Sequence, residues 1–271
     1  MAMKMMEYAD FTKQGLEHVE KHQQFLNGEQ SKLVDMIENN KGSRSGCLLS
    51  LLSHAKATAL VSWFKDQDLV KFKQWSYVSA KLERMKFQME PGVWYPAYLL
   101  LMPLLSDHEK LIEWFAHNNR PFDIVRADNP TTPEFHGYQA LLALRGEWKT
   151  LEERCLRIIG HSSSKMKKYE IDHRFYLALA RQDAEGMEAV LRELTSPKIA
   201  KIRNVEQAFG FTEKLIGTHA VIYAKIAWRH GFQVKVDTPW IPAEWLPVAP
   251  LPSYADPYGF MREFAIEQPL P

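Results

Sequence analysis

Hydrophobic residues recur at intervals of three and four along the first third of the chain, which is the spacing of one face of an α-helix. In the first segment Leu16, Val19 and Leu26 share one face, and Gly28 ends the pattern. Four helices are predicted in this part of the chain, over 5–26, 29–38, 46–64 and 69–89.

Between residues 91 and 238 the pattern changes to pairs of shorter segments, each an apolar helix, a tight polar turn and an amphipathic helix. Such pairs are typical of antiparallel helical hairpins. The pairs are 94–105 with 109–115, 135–144 with 148–159, and 173–180 with 184–194. The second and third pairs align at an offset of 35 residues, as in Leu156 and Leu191. This offset favours a stacked, tetratricopeptide-like solenoid section, although any two hairpins of similar length would align as well.

Two further stretches depart from this pattern. Residues 118–133 contain three prolines and little periodicity, which predicts a surface loop. A last helix is predicted over 212–230, with Gly231 as a left-handed cap. Eight of the 15 prolines then fall within the last 33 residues, so the tail from Pro239 is predicted to be extended and not helical.

The composition supports a helical fold. Leu (29 residues) and Ala (24) outnumber the β-branched Val (13), Ile (13) and Thr (9), a bias toward helix formers. We therefore predict an all-α fold in a single domain. Its parts would be long helices in 1–90, helical hairpins in 91–238, and a proline-rich tail, 239–271, packed on the domain.

The charge of the chain is balanced, with 34 basic and 33 acidic side chains. A dedicated nucleic-acid-binding protein needs a basic excess, so no nucleic-acid partner is predicted. Two cysteines and no signal-peptide pattern favour a reducing, cytoplasmic location. The longest charge-free run, 91–106, has 16 residues and is shorter than the roughly 18 to 20 that cross a bilayer, so no membrane association is predicted.

Motifs for catalysis and cofactor binding are absent or incomplete in the sequence. His18 and His22 lie one helical turn apart, but no third ligand follows from the sequence, so a solvated helix face is preferred to a metal site. Ser53 and Lys56 have the spacing of a lysine-activated serine without its partner motifs. No glycine-rich nucleotide loop and no Gly-x-Ser-x-Gly occurs. We predict no catalytic residue, no metal and no cofactor.

The eight tryptophans raise a separate question about binding. Most lie on apolar helix faces, where a large ring is usually part of the core. Trp240 and Trp245 lie in the predicted tail, which has no helix to cover them. They are predicted either to pack onto the domain or to contact a partner.

A recognisable pattern spans the end of the last predicted helix and the start of the tail. It consists of Ala224–Gly231 (Ala-Lys-Ile-Ala-Trp-Arg-His-Gly), Val234–Asp237 (Val-Lys-Val-Asp) and Ile241–Leu246 (Ile-Pro-Ala-Glu-Trp-Leu). This pattern resembles the C-terminal signature of family 49 of the polymorphic-toxin immunity proteins. The resemblance implies a bacterial cytoplasmic inhibitor that binds a cognate toxin, often a nuclease and often one delivered by contact-dependent or type VI secretion.

The same resemblance implies structural roles for the signature residues. Gly231 would cap the helix, Arg229 and Asp237 would pair, and Pro242 and Leu246 would dock the tail. None of these roles identifies the surface that contacts the toxin.

Charge is segregated along the chain although the total cancels. Residues 91–160 hold nine acidic and seven basic side chains, whereas 161–238 hold nine and thirteen. Because a tight inhibitor needs complementary charge, Asp123, Asp128 and Glu134 are predicted to face a basic site on the toxin. The alternative is a solvated loop. Two other functions stay open, a helical-repeat scaffold or adaptor with another protein partner, and a helical enzyme without a known motif.

Overall fold

A computed structural model describes residues 2–89, 99–118, 124–160, 164–206 and 210–270. Within these ranges every regular element is helical and no strand occurs, which confirms the all-α fold. The helices are α1 (Ala2–Asn27), α2 (Gln30–Glu38), α3 (Arg44–Phe64), α4 (Leu69–Met89), α5 (Leu101–Ser106), α6 (Glu109–His117), α7 (Ile124–Asp128), α8 (Pro133–Arg145), α9 (Trp148–Leu156), α10 (Ser164–Lys167), α11 (Glu170–Ala180), α12 (Ala184–Leu194), α13 (Pro197–Glu206), α14 (Thr218–Arg229) and α15 (Gly259–Arg262), with a 3-10 turn over Ala243–Trp245.

The long helices α3 and α4 pack along each other and form the centre of the N-terminal part, with α1 and α2 against α3. The hydroxyl of Ser43 caps α3 by accepting a hydrogen bond from the Gly46 amide at 3.2 Å, as Ser does at helix starts. By length and composition α3 could cross a membrane, but 72% of its apolar window is buried inside the protein. Such burial is typical of a core helix. The longest charge-free run in the sequence, 91–106, lies outside this helix.

The shorter helices follow one another in space as well as in sequence. Helix α9 packs between α8 and α11, and α11 packs against α12. The α8–α9 turn uses Gly146 at φ +70°, and the α11–α12 turn uses Gln182 at φ +59°. A regular tetratricopeptide-like repeat through these helices stays a prediction.

Several predicted boundaries differ from the structure, among them the end of α9 at Leu156 and not at 159, and the start of α11 at Glu170 and not at 173. The segment 118–133 contains helix α7, and its Pro133 already begins α8, where the fixed φ of proline suits the first turn. Helix α14 begins at Thr218 and not at Thr212, because the Gly217 amide donates to the carbonyl of Trp240 at 2.9 Å. Helix α13 was not predicted.

The tail contains the 3-10 turn and α15, so the prediction that it lacks helix is wrong at these two points. It lies along α4, whose polar side chains donate to its backbone. Gln74 Nε2 reaches the carbonyl of Ala255 at 2.7 Å, and Arg84 Nε reaches that of Ile266 at 3.0 Å. Lys81 pairs with Asp256 at 2.8 Å. One polar face of α4 is therefore covered by the tail.

A buried cluster of three charges anchors the start of the tail. Asp107, in the turn after α5, lies between Lys73 of α4 at 2.8 Å and Lys225 of α14 at 2.7 Å, and all three are at most 3% exposed. Lys225 Nζ also donates to the carbonyls of Trp245 at 2.8 Å and Pro247 at 2.9 Å. Burial lowers the pKa of Lys225 to about 8, and Asp107 opposes this shift. The cluster thus joins α4, α5, α14 and the tail.

Candidate partner-binding surface

The short helix α7 carries the two most exposed large hydrophobic side chains of the described residues. Ile124 is 78% exposed and Val125 is 79% exposed. Single exposed aliphatic residues are ordinary on protein surfaces, but neighbouring ones beside polar groups are typical of binding sites. This part of the surface is therefore the candidate site, and we call Ile124, Val125 and the charged residues 126, 128, 134 and 157 the α7 surface.

Arg154 of α9 fixes α7 from below. Its guanidinium is largely buried, at 8% exposure for the residue, and donates to the carbonyls of Ala127 at 2.5 Å and Phe135 at 3.3 Å. Its Nε donates to Gln139 Oε1 at 3.0 Å, and the group lies 4.1 Å from the ring centre of Phe135. Burial lowers the pKa of Arg154 to about 10, so it is charged at neutral pH. A planar group held on several sides leaves α7 little freedom.

Ion pairs hold the rest of the α7 surface. Arg157 donates two hydrogen bonds to Asp128, one to the side-chain Oδ1 at 3.0 Å and one to the backbone carbonyl at 2.9 Å. Arg126 makes a two-point contact with Glu134, at 2.7 and 3.0 Å. The hydroxyl of Thr132 caps α8 and also donates to the carbonyl of Arg126. Two-point arginine contacts add geometric definition to charge.

This arrangement is suited to docking a protein. It combines exposed aliphatic side chains with charged groups, and protein interfaces contain both. Because α7 is held by backbone hydrogen bonds and ion pairs, little conformational freedom is lost when a partner binds.

Two histidines near this surface, His136 and His173, are buried. His136 Nδ1 and His173 Nε2 lie 2.8 Å apart, and the rings are 9% and 0% exposed. Burial lowers the pKa of His136 to about 4 and that of His173 to about 3. Both are therefore neutral at pH 7 and tie α8 to α11. Among the residues with described side chains, no group of three His, Cys, Asp or Glu is arranged to hold a metal ion.

The three acidic residues that were predicted to contact the toxin have different outcomes in the structure. Asp123 lies outside the described residues. The side chain of Asp128 is 70% exposed and pairs with both Arg154 and Arg157. Glu134 is only 11% exposed and pairs with Arg126. Three arginines therefore face two carboxylates, and contact of these carboxylates with a basic toxin site stays a prediction.

The two tail tryptophans belong to a different part of the molecule. Trp245 is 1% exposed and stacks on Phe72 with ring centres 4.4 Å apart, so of its two predicted roles it packs onto the domain, and the alternative role as a partner contact is wrong. The proline-rich tail packs this ring against α3 and α4 instead. Trp240 is half-buried and meets Tyr8 edge-on at 4.8 Å. No ring contact or hydrogen bond among the described residues joins either tryptophan to Asp128.

The signature residues have local structural contacts. Gly231 has φ +85°, and the amides of Gly231 and Phe232 donate to the carbonyls of Trp228 and Ala227, which is the Schellman helix ending. Arg229 pairs with Glu109 at 2.7 Å, so its predicted pairing with Asp237, which is exposed, is wrong.

The remaining signature residues lie at the start of the tail. The carbonyl of Pro242 accepts the Trp245 amide at 3.1 Å in the 3-10 turn. Leu246 is 5% exposed, and its carbonyl faces Lys225 Nζ at 3.3 Å. Both residues therefore take part where the tail meets the helices.

Sequence reasoning missed Ile124, Val125 and Arg154 because no helix was predicted within 118–133. One signal was present, a pair of β-branched aliphatic residues in a polar, proline-containing stretch. In a solvated loop such a pair is unfavourable unless it packs against the protein or binds a partner.

Comparison with known proteins adds independent information. A family model described as Immunity protein 49 matches residues 66–245, which is more than half of the chain. The match begins just before α4, includes the α7 surface and ends at Trp245. No curated protein and no solved structure matches the chain.

Proposed function

The chain belongs to the Immunity protein 49 family, and from this premise we propose that it neutralises a cognate bacterial toxin by binding it through the α7 surface. The proposal places this binding in the cytoplasm of the cell that the protein protects. A nuclease delivered by type VI secretion is the toxin that the sequence resemblance favours, and the proposal does not depend on that choice.

The observation that carries this proposal is the exposure of Ile124 and Val125 on a helix held by Arg154. Protection against a few toxin molecules requires nanomolar binding or tighter, about −12 kcal/mol. A few well-placed apolar contacts on a rigid support supply most of the free energy of such interfaces. Binding of this kind is stoichiometric and needs no catalytic group.

The test is protection in cells. The candidate toxin to be tested is the product of the gene adjacent to that of this protein, expressed from an inducible promoter in a sensitive host. We expect co-expression of the wild-type protein to restore growth and the Ile124→Asp/Val125→Asp variant to lose protection. The matched control is Val70→Asp, because Val70 is 64% exposed on α4 and lies outside the α7 surface.

Circular dichroism melts establish that the variants fold, which is expected because all three side chains are exposed. Full protection by the folded double variant would refute the α7 surface as the binding site. Failure of the wild-type protein to protect against that toxin would refute the proposed function.

A further inference from the structure

Away from the α7 surface, a recess with a volume of about 380 Å³ is formed by α10 to α13. Six of its lining residues define it here, Lys167, Lys168, Arg174, Ile199, Ile202 and Arg203. We propose that this recess, called the basic groove, binds an acidic segment of the toxin that also carries an aliphatic side chain. The inference rests on the proposed function for the identity of its partner.

The apolar part of the groove is formed by isoleucines. Ile171 is 8% exposed and forms part of the wall, whereas Ile202 is 49% exposed. The exposure of Ile199 is intermediate between those of Ile171 and Ile202. Aliphatic side chains at this exposure favour contact with another aliphatic side chain.

The charges around the groove are unequal. Among the described side chains that line it, four are basic and two, Glu170 and Glu193, are acidic. Arg174 pairs with Glu193 at 2.7 Å, and Arg203 pairs with the buried Asp172 behind the groove at 2.5 Å. Lys167 and Lys168 are exposed, and neither has an acidic partner among the described residues. They are the cations available to a ligand at this groove.

One hydrogen-bond donor at the groove is unused. The Nε of Arg174 is inaccessible to water, and among the described residues it has no acceptor. A buried donor without an acceptor destabilises the folded state. Because solvent does not reach this atom, a carboxylate can accept from it only after the Arg174 side chain moves, so the positive charge that the groove offers a ligand is that of Lys167 and Lys168.

The occupant is inferred from the combination of these features. A nucleic-acid strand is bound mainly by many cations along its phosphates, whereas this groove has two available lysines and isoleucines beside them. A short acidic segment with a leucine or isoleucine matches both. The groove is formed by α10 to α13 and shares no residue with the α7 surface, so a toxin that spans both would be held at two separate points.

The direct test uses a fluorescein-labelled 12-residue peptide of Glu, Asp and Leu and measures binding by anisotropy at low salt. We expect saturable binding that the Lys167→Glu/Lys168→Glu variant weakens at least tenfold. The matched control is Lys32→Glu/Lys41→Glu, which makes the same charge change at lysines that are 71% and 61% exposed elsewhere. The control is expected to weaken binding less than twofold.

Further arms of this test separate the alternatives. A peptide with Gln and Asn in place of Glu and Asp should bind at least tenfold more weakly, and Ile202→Ser should weaken binding of the acidic peptide. Equal loss in the groove and control variants, or tighter binding of a 12-nucleotide single-stranded DNA than of the acidic peptide, would overturn the proposal.

A second measurement links the groove to the toxin. The groove variant should bind the toxin from the adjacent gene at least tenfold more weakly than the lysine control does, and equal affinities would refute the groove as a toxin contact. If the wild-type protein binds no toxin, the proposed function fails, while the peptide measurement still decides whether the groove takes an acidic segment.

Discussion

Asp107 is the residue whose environment most constrains the fold. Its carboxylate is the single anion between two buried ammonium groups, and its backbone is left-handed at φ +57°. Removing one partner from a buried ionic group leaves uncompensated charge, which is far more costly than breaking an exposed pair. The sequence shows the three charges far apart and gives no sign that they meet.

We expect Asp107→Asn to lower the free energy of unfolding by about 3 to 5 kcal/mol, since Lys73 and Lys225 then lack a counter-charge. Asparagine tolerates the left-handed conformation, so the substitution changes charge and not backbone strain. Urea denaturation followed by tryptophan fluorescence measures the difference. Asp66→Asn is the control, because Asp66 is 36% exposed in its pair with Lys71 and should cost less than about 1 kcal/mol. Equal losses in the two variants would show that Asp107 is not the counter-charge.

Helix α4 and the tail act together at the scale of elements. Lys73, Tyr77, Lys81, Arg84 and Gln88 recur at helical spacing, and each donates a hydrogen bond to the tail. The bounds of α4 were predicted correctly from its periodicity. The burial of this polar face was not, because a stripe of Lys, Arg and Gln on a helix looks like a solvated surface until another segment covers it.

Trp245 anchors the tail, and its truncation tests that role. We expect Trp245→Ala to destabilise the protein by about 3 to 5 kcal/mol, the range for removing a large buried ring. Trp240→Ala should cost clearly less, because that ring is half-buried against Tyr8. Thermal or urea unfolding of the two variants makes the comparison. A Trp245→Ala protein as stable as Trp240→Ala would contradict the anchoring role.

Helix α7, unlike α4, was not predicted as a helix from the sequence. Its surroundings were predicted as a proline-containing loop of functional interest, and the segment does lie at the surface. Tertiary contacts, such as those of Arg154 with the carbonyl of Ala127 and of Arg157 with the carbonyl of Asp128, hold it as a helix. Propensity alone does not predict a five-residue helix, since short helices are unstable without packing.

Acid sensitivity belongs to the whole molecule because its buried histidines join several helices. Burial lowers the pKa of His219 to about 3, as it lowers those of His136 and His173. The unfolded chain takes up these protons near pH 6.5, so it binds more protons than the folded protein below that pH. Their contribution to stability is therefore complete above pH 6.5 and is lost as the pH falls toward 4.

Urea denaturation at pH 7, 6 and 5 measures this effect. We expect the free energy of unfolding to fall with a slope that approaches about 1.4 kcal/mol per pH unit for each buried histidine. The variant His219→Gln should reduce that slope by one proton. A stability that does not change between pH 6.5 and 5 would contradict the neutral, buried state of these groups.

Across the whole molecule, periodicity and composition were sufficient for the fold class and for most helices. In the pattern over 224–246, Gly231 ends α14, whereas Trp245 and Leu246 lie where the tail meets the helices. Asp128 and Glu134 of the α7 surface were selected from the sequence by their charge, but the rest of that surface and the basic groove were not, because each is assembled from helices that only tertiary packing brings together.

We propose that the protein neutralises a toxin by binding it stoichiometrically and not by chemical turnover. Titration of the purified protein into a fixed amount of the toxin from the adjacent gene, with residual toxin activity as the readout, tests this most directly. We expect inhibition to be complete at a molar ratio of one, with the Ile124→Asp/Val125→Asp variant needing a large excess. Complete inactivation by far less than one equivalent, or none at a large excess, would contradict the account.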